Sequence, residues 1–197
     1  MKAYYDARAP EYDDWYLGCG RFDERDRPGW DDDLAALAAA LAALPPARTL
    51  DVACGTGFLT QHLRGPLTLL DQSERMLAIA SGRVPHADVV AADALEPLPF
   101  PDRSFERVLA AHFYDHLRAD ERTRFLAEAR RVARELVVVD SALRDDVEPE
   151  GVQERILDDG SCWTVYKRYF RAEELLAELG GGRVLHRGDW FVAVASP

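Results

Sequence analysis

The residues with the clearest chemical potential are Gly55 and Gly57, which follow the apolar stretch 50–53. At the carboxyl end of a strand, glycines let backbone N–H groups come close to a ligand, and a helix that follows offers its N-terminus to negative groups. Two glycines at this spacing also occur in tight strand-to-helix turns that bind nothing. A nicotinamide-dinucleotide fingerprint requires a third small residue three positions after Gly57, where this chain has Thr60. The pattern therefore predicts a turn whose backbone comes close to a ligand, but not a dinucleotide-binding site.

Two aspartates follow the next two apolar stretches of the chain. Asp71 comes directly after 67–70, and Asp93 comes after 88–92. The carboxyl ends of parallel strands meet at one sheet edge, so Asp71 is placed to accept hydrogen bonds from both hydroxyls of a ribose. Asp93 can accept one from an adenine amino group, while the backbone N–H of Ala94 serves a ring nitrogen. One such aspartate alone is typical of a helix N-cap or a turn, but together with the glycines the two predict an adenosine pocket.

A parallel sheet has to position these residues, and the apolar pattern predicts one. Strands are expected at Thr49–Ala53, Leu67–Leu70, Asp88–Ala92, Phe105–Ala111 and Leu136–Val139. Helices are expected between and before them, at Asp31–Leu44, Thr56–Leu63, Ser73–Ser81 and Ala119–Val132. Near-continuous apolar strands that alternate with helices indicate a parallel sheet covered on both faces.

The C-terminal third departs from this alternation. The stretch 141–160 is acidic and irregular, Cys162–Phe170 is strand-like, and Ala172–Leu179 is a predicted helix. Two close strands, Arg183–His186 and Trp190–Ala195, end the chain. We therefore expect an α/β fold with a Rossmann-like, doubly wound, mostly parallel seven-stranded sheet, an antiparallel C-terminal strand and an N-terminal helical lid.

Composition excludes several classes of protein. The 197 residues suffice for one sizeable core, and the net charge of −11 argues against a nucleic-acid partner. The three cysteines lie far apart and form no CxxC pair, and the N-terminus shows no apolar signal segment. No stretch is long and apolar enough to span a bilayer. We expect a cytoplasmic protein that is a monomer or a homodimer and has no membrane partner.

Several sequence segments together resemble one known family. They are DVACGTG at 51–57, DQSERMLAIA at 71–80, ADALEPLPFPDRSFERV at 92–108, the pair His116-Leu117 and FLAEARRV at 125–132. In this order they resemble the class I S-adenosylmethionine-dependent methyltransferases, within the small-molecule branch called type 11. The resemblance covers residues 45–140 and implies a single domain, 1–197. Residues 1–33 would form its lid, 45–140 its cofactor-binding core and 141–170 its acceptor-side segment.

The resemblance also implies which residues bind S-adenosylmethionine. By position they are Tyr12, Tyr16, Asp51, Ala53, Gly55, Thr56, Gly57, Asp71, Gln72, Met76, Asp93, Ala94, Ala111 and His112. Asp51 would anchor the glycine loop and reach the methionine amino group, directly or through a water. Gln72 and Met76 would line the adenosine, and Tyr12 and Tyr16 would close over the cofactor.

Methyl transfer from a sulfonium requires little acid–base chemistry, so positioning and a dry cavity are expected to dominate. The candidate catalytic residues are His112 and His116, which follow the fourth strand; His116 is also typical of a histidine that packs or caps. Lys167 and Arg168 are interpreted as a solvated basic pair rather than as contacts for an acidic substrate. No group of metal-ligating residues stands out, so no metal is expected.

The acceptor is predicted to be a small molecule, and two other functions stay open. One is an oxidoreductase that uses a nicotinamide dinucleotide on a similar sheet, which Thr60 and the Asp93 loop disfavour. The other is a non-catalytic partner protein that binds S-adenosylmethionine.

Overall fold

The protein is built around one seven-stranded sheet, described here from a computed structural model of residues 1–197. Its strands are β1 (Thr49–Val52), β2 (Leu67–Asp71), β3 (Asp88–Ala91), β4 (Arg107–Ala111), β5 (Glu135–Ser141), β8 (Arg183–Arg187) and β9 (Phe191–Ser196). The spatial order is β3-β2-β1-β4-β5-β9-β8. Strand β9 runs antiparallel to both of its neighbours, β5 and β8. This order confirms the predicted doubly wound fold.

Helices cover both faces of the sheet. They are α1 (Lys2–Arg8), α2 (Asp14–Leu17), α3 (Trp30–Ala42), α4 (Glu74–Arg83), α5 (Ala119–Val132) and α6 (Ala172–Glu178). The buried strand β5 shows why two layers are needed, because successive side chains point to opposite faces. Val137 and Val139 pack with α3 and α4, whereas Leu136 and Val138 pack with α5 and α6. None of these helices combines the length and the apolar character that crossing a membrane requires.

Two local predictions were wrong. The stretch Thr56–Leu63 is not an α-helix and contains only a short 3-10 turn, Thr60–His62. The left-handed backbone of Gly55 (φ 54°) and Gly57 (φ 71°) interrupts right-handed helical geometry at its start, and Gly65 (φ 111°) turns the chain toward β2 soon after.

The stretch 141–160 is not irregular throughout. It contains β6 (Glu150–Ile156), which pairs antiparallel with β7 (Cys162–Arg168) in a separate hairpin. Most β6 side chains are exposed, so backbone pairing rather than an apolar pattern holds this strand. Nothing in its acidic composition signals that pairing.

The hairpin and the N-terminal segment lie together over the carboxyl edge of the sheet. Tyr4 of α1 is buried against Leu157 and Val165 of the hairpin. Arg21 donates to the carbonyl oxygen of Ile156 at 3.0 Å and pairs with Asp158 at 2.9 Å. The N-terminal segment is therefore anchored to the hairpin.

Helix α6 supplies a direct test of how far packing on the sheet stabilises this fold. Leu175 is fully buried, whereas Leu17 is 62% exposed. Leu175→Ala is expected to lower the free energy of unfolding by about 2–5 kcal/mol, because it removes buried methyl groups and leaves a cavity. Leu17→Ala, the matched control, is expected to change it by less than about 0.5 kcal/mol. Urea unfolding followed by circular dichroism measures both, and equal effects would contradict the packing described.

Candidate functional site

The glycine loop after β1 is held open by one carboxylate. Asp71, at the end of β2, accepts from the backbone N–H of Gly55 at 2.9 Å and from that of Ser73 at 2.8 Å. Ala53, Gly55 and Gly57 all adopt positive φ, and for Ala53 (φ 55°) this is an uncommon conformation. The loop thus turns away from the sheet edge and leaves a hollow above it.

This hollow, the loop cavity, has a volume of about 400 Å³. Eight of the predicted cofactor-binding residues line it: Tyr12, Ala53, Gly55, Asp71, Gln72, Asp93, Ala94 and His112. Tyr5, Phe113 and Leu117 add apolar surface. Burial raises the pKa of Asp71, although the N–H groups of Ser73 and Gly55 oppose the shift. The cavity combines apolar walls with a few polar groups, as small-molecule sites do.

The remaining six predicted residues lie off the wall of the loop cavity. Thr56 donates to Asp13 at 2.5 Å, and the ring of Tyr16 stacks on Phe58 at 4.1 Å. Met76 is fully buried on the inner side of α4. Gly57 packs near Ala80, and Ala111 is half-buried against the α3–α4 core.

Asp51, the sixth of them, is buried in the middle of β1. Its Oδ2 accepts from the hydroxyl of Thr60, while Oδ1 has no partner in the protein. Burial raises the pKa of this carboxyl to about 7, and the nearby Asp71 adds to the shift. An unpartnered, buried carboxylate oxygen next to the glycine loop is a place for a cationic or hydrogen-bond-donating group of a ligand.

His112 occupies a strained position directly after β4. Its φ is 51°, and its ring sits edge-on to Trp15 at 4.9 Å and to Phe191 at 5.7 Å. Both ring nitrogens are buried without a partner. Burial lowers the pKa of His112 to about 3, so the ring is neutral near pH 7. Unusual backbone geometry with free polar atoms is typical of functional positions.

A cluster of charged side chains lies beneath the two histidines, and the sequence analysis missed it. Lys167 is an ion-pair partner of fully buried Asp115, so the expectation of a solvated Lys167 was wrong. The β6–β7 pairing carries Lys167 inward, where the carboxylate offsets the cost of burial. Arg168, the other member of the expected basic pair, pairs with Glu178 at 3.0 Å.

His116 joins this cluster. Its Nδ1 lies 2.7 Å from the carbonyl oxygen of Tyr166 and therefore carries a proton that it donates, while Nε2 lies 3.4 Å from Asp115. Burial lowers its pKa to about 4. Burial, reinforced by the charge of Asp115, raises the pKa of Asp140 well above its usual value. His112, Asp115 and Asp140 have potential metal-ligand atoms within 4.8 Å of one another, although the ammonium of Lys167 already supplies a positive charge there.

A second and larger hollow adjoins the loop cavity. It has a volume of about 580 Å³ and is lined by arginines of the N-terminal segment and the hairpin, so we call it the arginine cavity. Tyr5, Tyr12, His112 and His116 line both cavities. Two hollows that meet at shared side chains suit a reaction between two bound molecules, one on the glycine loop and one beneath the lid.

Comparison with known proteins shows what the chain is similar to. Residues 50–137 match a family described as a methyltransferase domain. A curated protein from Thermotoga maritima named demethylmenaquinone methyltransferase is 37% identical over 92 residues, which are 44% of this chain and 39% of that protein. The chain thus spans about two fifths of the length of this curated relative.

Solved structures extend the similarity to the whole chain. A complex of DhpI with SAM and HEP is 27% identical, covers 99% of this chain and 95% of its own, and superimposes with a TM-score of 0.77. A DhpI–SAH complex is 26% identical, covers 99% and 94% respectively, and has a TM-score of 0.76. The N-terminal segment and the hairpin, which the family match leaves out, are therefore included in the structural likeness.

The raised pKa of Asp51 predicts how stability changes with pH. Between pH 4 and 7 the folded protein keeps a proton at Asp51 that the unfolded chain, with an ordinary pKa near 4, has released. Stability contributed by this site therefore falls as the pH rises through that window. Relative to Asp51→Asn, the wild type is expected to lose about 2 kcal/mol of unfolding free energy between pH 5 and pH 7.

Urea unfolding at the two pH values measures this difference, and pairing the wild type with the variant cancels contributions from other groups. Asp23→Asn, at an exposed site, serves as the control and is expected to show no such change. A difference between wild type and Asp51→Asn that is independent of pH would contradict the raised pKa.

Proposed function

We propose that the chain is a class I S-adenosylmethionine-dependent methyltransferase, as the methyltransferase-domain match over residues 50–137 supports, and that it transfers a methyl group from S-adenosylmethionine to a small-molecule acceptor. The observation that carries this proposal is the junction of the loop cavity with the arginine cavity at His112. One cavity then takes the cofactor and the other takes the acceptor.

The residues of the loop cavity fit the cofactor chemically. Each carboxylate oxygen of Asp71 accepts one backbone N–H and retains a further lone pair, which suits the ribose hydroxyls. Asp93 and Ala94 are proposed to bind the adenine. Beyond the cavity wall, the free Oδ1 of Asp51 suits the methionine ammonium, whose charge would favour the ionised carboxyl. When bound, the cofactor supplies a methyl group on a sulfonium leaving group.

The remaining proposed cofactor contacts act around this pocket. We propose that Gln72 lines the adenosine on the cavity wall and that Met76 supports it from within α4. Tyr12 would close over the cofactor, with Tyr16 behind it in the core. The backbone of the glycine loop, including Ala53, Thr56 and Gly57, would lie close to the cofactor. Ala111 would lie near the sulfonium.

The protein contributes position and exclusion of water rather than strong acid–base chemistry. Segment 1–33 is proposed as the lid and 141–170 as the acceptor side, because their side chains enclose the arginine cavity. His112, neutral and with two free ring nitrogens, would hydrogen-bond the acceptor. A ring with so low a pKa is a weak base near neutral pH. His116, held by its hydrogen bond to the carbonyl oxygen of Tyr166, would position the wall between the cavities.

A cytoplasmic location is proposed because all three cysteines are free, two of them exposed.

Two measurements test the proposed function against its alternatives. Titration calorimetry should detect binding of S-adenosylmethionine and none of NAD; the reverse would support an oxidoreductase. An assay of S-adenosylhomocysteine release over a panel of small acceptors should find turnover above the background with water. Binding of the cofactor without turnover on any acceptor would support a non-catalytic partner protein instead.

Asp71 gives the sharpest single-residue prediction for cofactor binding. Asp71→Ala is expected to weaken S-adenosylmethionine binding by about 1–3 kcal/mol, because ribose donors and the Gly55 N–H lose a charged acceptor. Calorimetric titration measures the loss. Asp102→Ala, at an exposed surface position, is the matched control. An Asp71→Ala protein with a native circular dichroism spectrum and unchanged affinity would remove the ribose assignment.

A further inference from the structure

The arginine cavity has a charge opposite to that of the whole protein. Seven basic and four acidic side chains line it, although the chain carries a net charge of −11. A local excess of positive charge in a concave site concentrates anions there. The excess lies beneath the lid, beside the proposed site of methyl transfer.

Three of the seven basic side chains already have a carboxylate partner. Arg21 pairs with Asp158, Arg144 with Asp146 and Lys167 with Asp115. These pairs are internal to the protein and leave little charge for a ligand.

The other four, Arg8, Arg25, Arg27 and Arg155, form no ion pair. Arg27 donates to the carbonyl oxygen of Trp15 at 2.8 Å and lies 3.9 Å over the ring of Trp30. Arg25 lies 4.7 Å over Phe22, and Arg155 donates to the side-chain oxygen of Gln153 at 2.6 Å. Their planar groups are held in place by aromatic rings and neutral acceptors, and none of them forms a direct ion pair with Glu11, Asp26 or Glu154 of the same cavity wall.

These guanidinium groups also act on one another. Partial burial lowers the pKa of Arg25, and the positive charges of Arg155 and Arg8 lower it further. Like charges gathered in a partly buried space are costly unless an opposite charge joins them. The three side chains come from two separate parts of the chain, the lid and the hairpin, so a single anion between them would join these parts.

The position of the four arginines separates the proposed acceptor site from the proposed cofactor site. None of them lines the loop cavity, where the cofactor is proposed to bind. They lie in the space that shares only Tyr5, Tyr12, His112 and His116 with it. A molecule held by these arginines can extend toward His112 without entering the adenosine pocket.

We propose that the arginine cavity selects an acceptor that carries an oxyanion, either a carboxylate or a phosphate group, and that Arg25 and Arg155 bind this group. Guanidinium groups match both oxyanions with paired hydrogen bonds. The proposal rests on the proposed methyltransferase function, since it defines the second substrate of that site.

The test uses the full-length protein loaded with S-adenosylhomocysteine. Trp15, Trp30 and Trp190 line the arginine cavity, so their fluorescence reports on its occupancy. The probes are inorganic phosphate, succinate and succinamide, the last being an uncharged analogue of similar shape. A saturable change in fluorescence is expected for succinate or phosphate at concentrations at least tenfold below those at which succinamide causes one. Whichever of the two anions binds more tightly identifies the preferred oxyanion.

The double variant Arg25→Gln/Arg155→Gln is expected to weaken anion binding at least tenfold and to leave S-adenosylhomocysteine affinity unchanged. Arg124→Gln is the matched control, because Arg124 is exposed on α5 and lies outside both cavities. Equal affinity for succinate and succinamide, or anion binding that survives the double variant, would overturn the proposal. A parallel loss of S-adenosylhomocysteine affinity would also overturn it, because the arginines would then hold the carboxylate of the cofactor.

The two proposals fail in different ways. A wild-type protein that binds S-adenosylhomocysteine but shows no preference for anions contradicts the oxyanion site alone. A wild-type protein that prefers anions but does not bind S-adenosylhomocysteine contradicts the methyltransferase function on which the proposal rests.

Discussion

The carboxylate of Asp71 carries the constraint on which the rest of the site depends. By accepting from the N–H groups of Gly55 and Ser73, it ties the loop after β1 to the end of β2 and to the start of α4. The loop can then keep a left-handed backbone and leave open space above the sheet edge. A buried carboxylate satisfied in this way stabilises the loop and still has lone pairs for a ligand.

Burial sets the chemistry around that space. It keeps His112 and His116 neutral near pH 7, raises the pKa of Asp140, and leaves the Asp115–Lys167 ion pair at the junction of the cavities. A neutral, well-packed junction suits a transfer reaction that depends on alignment and a dry environment. The arginines without an ion pair lie instead in the arginine cavity, where we propose that they select the acceptor without disturbing the junction.

Much of this arrangement could be predicted from the sequence because it follows from local patterns. Apolar strands that alternate with helices define a parallel sheet, and residues directly after such strands must share one edge; Gly55, Asp71 and Asp93 accordingly line one cavity. Strand β6 could not be predicted, because its pairing with β7 depends on backbone hydrogen bonds that its acidic, exposed side chains do not signal. The burial of Lys167, and the presence of Arg25 and Arg155 on one cavity wall, likewise arise from contacts between segments distant in the chain, which no spacing rule reveals.

A crystal structure of the protein grown with S-adenosylhomocysteine tests the central claim most directly. The account predicts the ribose at Asp71, the adenine at Asp93 and Ala94, and the sulfur directed toward His112 and the arginine cavity. A nucleoside bound outside the loop cavity, or a sulfur directed away from His112, would contradict the assignment of the two cavities to cofactor and acceptor.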